Sequence, residues 1–152
     1  MGNVRGVRYA GGRYAIQSGA SISVFASDGK IIYVLDKQGR GPDEYLGGSI
    51  FDFDGDNNEV LVYDSGHDRI LTYNEKGEIV REIKNLSSVS DFNLLEDGNI
   101  FIAAPSHGGD SEYSHVIINA GGDTLASVEN KFKLVPTVLM GFVNECVTYS
   151  RG

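Results

Sequence analysis

Glycine-marked turns recur along this chain at a nearly fixed interval, and that interval limits its architecture more than any other feature. Three stretches, "SISVFASDGKIIYVL" (21–35), "DRILTYNEKGEIVREI" (68–83) and "SHVIINAGGDTLASV" (114–128), share one form. Each is an apolar run, a polar turn containing glycine, and a second apolar run. Gly29, Gly77 and Gly122 stand 48 and then 45 residues apart. Between them, "FDFDGDNNEVLVYD" (51–64) and "DFNLLEDGNIFIAA" (91–104) repeat a strand–turn–strand shape, with Gly55 and Gly98 43 residues apart. One further step back reaches Gly12 in "YAGGRYAIQ". Apolar runs joined by such turns are tight antiparallel hairpins. A fixed period marks a repeated structural unit, here four short strands every 43–48 residues.

The runs "IIYVL", "EVLVY" and "IFIAA" are continuously apolar rather than alternating. Such strands need cover on both faces, as when one sheet stacks on the next. A four-stranded antiparallel unit with both faces covered is a β-propeller blade. A β-sandwich also has many short strands, but it has no reason to repeat its turns at one period. The expected fold is therefore all-β: one domain of propeller blades over 4–35, 49–83 and 89–128, with a partial blade over 136–150. Ile79, Ile83 and Leu86 have helical spacing. The matching positions of the other units read as strand, and strand is expected here too.

Composition narrows the partners. The net charge of −8 repels nucleic acid and anionic lipid. No apolar run approaches the roughly 18 residues of a membrane span, and no secretion signal opens the chain. Cys146 is the single cysteine, which excludes an internal disulfide and any cysteine-based zinc cluster. No cofactor is expected from the residues.

The stretch "DKQGRGPDEYLGG" (36–48) has the glycine density of a phosphate loop. It lacks G-x-x-x-x-G-K-[ST] and leads into a strand, so no helix N-terminus awaits an anion. It reads as the bend linking the outer strand of one blade to the inner strand of the next. Its "GRGPDEY" (39–45), followed by Asp52-Phe53 and "VLVYD", resembles the Gly-x-Gly-Pro-x-Glu-Tyr signature of bacterial six-bladed, NHL-like β-propeller proteins. The resemblance implies an extracytoplasmic location (periplasmic, cell-surface or secreted) and a binding or scaffold role. It carries over no catalytic residue. Six blades need roughly twice this length. The ring is therefore expected to be completed by the remainder of a longer chain or by self-association.

A propeller offers ligands the loops between its second and third strands and those between blades. Here these are "DSGHDR" (64–69), "PSHGGDSEYS" (105–114) and "GRGPDEYLGGS" (39–49). His67 and His107 recur in matching loops; with Asp68, Asp110 and Glu112 they offer nitrogen and oxygen ligands to a divalent metal. Tyr45 and Tyr113 are loop aromatics suited to a sugar or peptide. The tentative ligand-binding set is Tyr45, His67, Asp68, His107, Asp110 and Tyr113, with His67 and His107 as metal candidates. "DFDGDNNE" (52–59) fails as an EF-hand loop, since Asn57 and Tyr63 stand where glycine and glutamate are required. "HGGD" (107–110) lacks the G-x-S-x-G elbow of an esterase. The expected function is non-catalytic binding of a small-molecule, carbohydrate or protein ligand. The alternative is a propeller lyase or hydrolase with a divalent metal held by the face loops.

Overall fold

The computed structural model describes residues 3–47, 50–86, 89–103 and 112–131. These form twelve strands and no helix. The first sheet is β1 (Val4–Ala10), β2 (Arg13–Ser18), β3 (Ser21–Ala26) and β4 (Ile31–Leu35). The second is β5 (Phe51–Asp54), β6 (Glu59–Asp64), β7 (Arg69–Tyr73) and β8 (Ile79–Ile83). The third is β9 (Asp91–Leu94), β10 (Ile100–Ala103), β11 (Tyr113–Ile118) and β12 (Thr124–Glu129). Every sheet is an antiparallel meander in chain order. The expected partial blade at 136–150 and Cys146 lie outside the described residues. Ile79–Ile83 is a strand despite its helical spacing, because β7 satisfies its backbone groups from Ile70↔Ile83 to Tyr73↔Ile79.

The turns follow from their residues. Over 26–30, 74–78, 95–99 and 119–123 the first and fifth residues are hydrogen-bonded, and a glycine at the fourth position donates back to the first. Gly29, Gly77, Gly98 and Gly122 there have φ between 73° and 93°, a region closed to most side chains. The β5–β6 turn departs from this pattern. Its positive φ falls on Asn58, while Gly55 serves a different need: a Cβ on it would collide with the backbone of Ala10 and Gly11 in the neighbouring sheet.

The sheets stack face to face. In the second, Val60, Val62, Leu71 and Tyr73 join Ile22, Val24 and Leu35 of the first sheet in one core. Leu61, Tyr63 and Ile70, pointing the other way, join Phe92, Ile100 and Ile118 of the third. Alternate residues of one strand thus fill two cores, which is why these strands are apolar throughout. The innermost strands are neighbours: β1 approaches β5, and β5 approaches β9. Asp52 on β5 ties the three, accepting from Leu94 N–H (2.6 Å) and facing Arg8 Nε (3.4 Å). Arg8 also lies over the Phe51 ring. The architecture is an incomplete β-propeller of four-stranded antiparallel blades. The first sheet's far face carries exposed Val7, Tyr9, Tyr14 and Val34.

Candidate functional site

Residues 36–47, the β6–β7 turn and residues 84–86 meet on one face. Asp64, at the end of β6, organises it. Its Oδ1 accepts from the N–H groups of Leu46 (2.9 Å) and Gly66 (3.2 Å). Its Oδ2 accepts from Arg69 Nε and pairs with His67 Nδ1, both at 2.8 Å. Burial alone would raise the Asp64 pKa, but the hydrogen bonds from Arg69, Leu46 and His67 outweigh it and hold it below the usual carboxylate value. Arg69 continues the network to Glu82 Oε1 (2.8 Å) and to the carbonyl of Glu44 (3.1 Å). A single carboxylate therefore fixes the preceding connection, its own turn and the arginine between them.

The "GRGPDEY" stretch is structural. Glu44 folds back so that its Oε2 accepts from Gly41 N–H at 2.6 Å, and a side chain on Gly39 would occupy the carboxylate's place. Tyr45 then enters the core between the first two sheets. Its ring stands edge-on to Tyr73 at 6.1 Å, and its hydroxyl donates to the carbonyl of Ala20 (2.7 Å). Tyr45 was expected in an open loop; it is fully buried, because the preceding glycines let the chain turn inward. Burial raises its pKa to about 12.

His67 and Asp68 are exposed on the β6–β7 turn and line a cleft of about 530 Å³ with Arg69, Glu82, Lys84 and Asn85. Asp68 and Asn85 both have positive φ, 50° and 62°. The Asp68 carbonyl accepts from Leu86 N–H (2.8 Å). Tyr63 Oη approaches Asp68 Oδ1 (3.0 Å) and the Leu86 carbonyl (3.2 Å). Burial and the bond to Asp68 raise the Tyr63 pKa.

Tyr113, exposed at the start of β11, borders a second groove of about 610 Å³ between the second and third sheets. Glu82, Lys84 and Asn85 line both clefts, so His67 and Asp68 stand at one end of a continuous surface and Tyr113 at the other. His107 and Asp110 lie outside the described residues. Among the described residues no three His, Cys, Asp or Glu side chains gather as a metal-binding group. Sequence reading missed Glu82, Lys84 and Asn85, which follow a strand in an ordinary polar run. It also missed Asp64 and Arg69, whose only signal is the opposite charges bracketing "SGHD".

Solved structures share this fold. A Bacteroides fragilis protein described as exported is 25% identical, with a TM-score of 0.65 over 84% of this chain and 38% of its own. Hsv2 of Kluyveromyces lactis, with its loop 6CD replaced by a Gly-Ser linker, is 11% identical, with a TM-score of 0.60 over 88% and 41%. BamB of Moraxella catarrhalis is 13% identical, with a TM-score of 0.52 over 83% and 37%. The chain thus spans less than half the length of each. No curated protein matches it. No helix among the described residues is long and apolar enough to cross a membrane. The family profile of a domain of unknown function, DUF4934, matches residues 1–149, and the chain belongs to that family.

Proposed function

We propose that this chain is the ligand-binding part of an exported, NHL-like six-bladed propeller, and that it binds without catalysis. The observation that carries this is the continuous surface from His67 and Asp68, across Glu82, Lys84 and Asn85, to Tyr113. Polar groups converge there beside a partly apolar groove, the usual make-up of a binding site. The 25% identical Bacteroides fragilis protein, described as exported, supports the extracytoplasmic location. The ligand class is a small molecule, a carbohydrate or a protein segment. Further sheets complete the ring, and the greater length of the matched structures favours the remainder of a longer chain.

The experiment is a binding screen of sugars and short peptides against the protein and its Tyr113→Ala and Lys84→Ala variants. Binding that weakens at least fivefold in both is the expected result. Ligands unaffected by either change place the site elsewhere.

A second reading, a metal-dependent lyase or hydrolase, is favoured by one contact. Asp64 holds His67 through Nδ1, which leaves Nε2 directed away from that carboxylate, as in carboxylate-oriented metal ligands. Stoichiometric zinc or manganese in the purified protein, lost in His67→Ala and in His107→Ala, would establish this reading over the first.

A further inference from the structure

The seam between the second and third sheets lacks what fills the seam before it. Counted from the turn glycines, Tyr73 and Ile118 hold equivalent places, each four residues ahead of Gly77 or Gly122. Both face the preceding sheet. The glycines are equivalent in space as well. A Cβ on Gly77 would approach Leu35 and Lys37, and one on Gly122 would touch Ile83; Leu35 and Ile83 are the last residues of β4 and β8.

In the first seam two aromatic rings pack here, Tyr45 against Tyr73. In the second seam neither of these two positions carries a ring, although Tyr63 and Phe92 pack in the core below. Isoleucine replaces Tyr73, and the connection from Ile83 to Asp91 is about half as long as the 36–50 arm that delivers Tyr45, bringing only the smaller Val89 to the groove wall. What remains is the groove of about 610 Å³, continuous with the core below it. Leu86 and Val116 on its wall are only partly buried, where their counterparts Gln38 and Leu71 differ: Gln38 lies along the arm and Leu71 is sealed.

We propose that this groove binds an aromatic ring, a phenol or tyrosine-like group presented by the ligand, in the place that Tyr45 takes in the preceding seam. The proposal rests on the binding-module reading and names its ligand class. The wall supplies apolar contact through Leu86 and Val116, while Tyr113 offers a ring partner and Asn85 a polar rim for the hydroxyl.

The test is an NMR titration of the whole chain, read at methyl and backbone amide resonances, with p-cresol, with cyclohexylmethanol as a saturated control and methyl β-glucoside as a sugar. The expected result is saturable shifts at the Leu86 and Val116 methyls with p-cresol, at least threefold tighter than with cyclohexylmethanol. Val116→Trp, which fills the groove from its own wall, should weaken p-cresol at least tenfold; the wild-type titration decides alone if that variant does not fold. Equal affinity for the saturated control overturns the aromatic preference. Shifts from the glucoside alone overturn it too but leave the binding-module reading standing. No shift at the groove or around His67 and Lys84 from any probe counts against both.

Discussion

At the scale of the residue, two buried polar groups decide how the face is held. Tyr45 contributes a packed ring and one hydroxyl bond, and substitution separates them. Tyr45→Phe keeps the ring and is expected to cost about 1 kcal/mol, while Tyr45→Ala removes it and is expected to cost about 3–5 kcal/mol. Denaturant unfolding measures both, and equal losses would show that the hydroxyl, not the ring, holds the seam. Asp64 predicts a pH dependence. Its pKa is depressed in the folded protein, so its contribution is present above the unfolded value of about 4 and is lost as pH falls through the folded value. Asp64→Asn should cost about 1.5–3 kcal/mol at neutral pH and flatten the acid limb of the stability curve below pH 4. An unchanged acid limb would assign that slope to other carboxylates.

At the scale of the element, the turns do more than reverse the chain. The β1–β2 and β5–β6 turns meet backbone to backbone at Gly11 and Gly55, and Arg13 Nη1 donates to the Gly55 carbonyl at 2.7 Å across the same seam. Gly55→Ala puts a methyl group against main-chain atoms that have no rotamer to move. It is expected to destabilise by about 1–3 kcal/mol. Gly98→Ala tests a different cause, since a Cβ there meets nothing within 4 Å but φ is +79°; its expected cost is about 1 kcal/mol of backbone strain. Thermal unfolding of the two variants distinguishes close approach from conformation, and a Gly55→Ala protein as stable as the parent would refute the backbone contact.

At the scale of the whole molecule, the exposed apolar face of the first sheet governs behaviour in solution. Val7, Tyr9 and Tyr14 there correspond in register to Phe51, Phe53 and Val60, which the second sheet buries against the first, and Val34 extends the same exposed face. Such a face seeks a covering sheet. Taken alone, the 16.4 kDa chain is expected to self-associate, and light scattering should return at least twice that mass. Val7→Glu with Val34→Lys should shift it toward monomer. A well-dispersed parent monomer would show that this face needs no cover.

The repeat and the strands were legible in the chain because turn chemistry and two-sided burial act over a few neighbouring residues. Gly29, Gly77, Gly98 and Gly122 adopt the backbone their turns require, and the run "EVLVY" divides its side chains between two cores, whereas "IIYVL" leaves Ile31, Ile32 and Val34 exposed on the uncovered first sheet. The fates of particular polar and aromatic residues were not legible. Tyr45 reads as a loop residue until Glu44 and the glycines turn it inward, and Glu82, Lys84 and Asn85 become neighbours of Tyr113 only when the second and third sheets stack. Local sequence determined which segments form strands and where they bend, since those choices are settled by backbone sterics and alternation. Tertiary structure alone decided which loop plugs a seam and which seam stays open, because that depends on contacts between residues tens of positions apart.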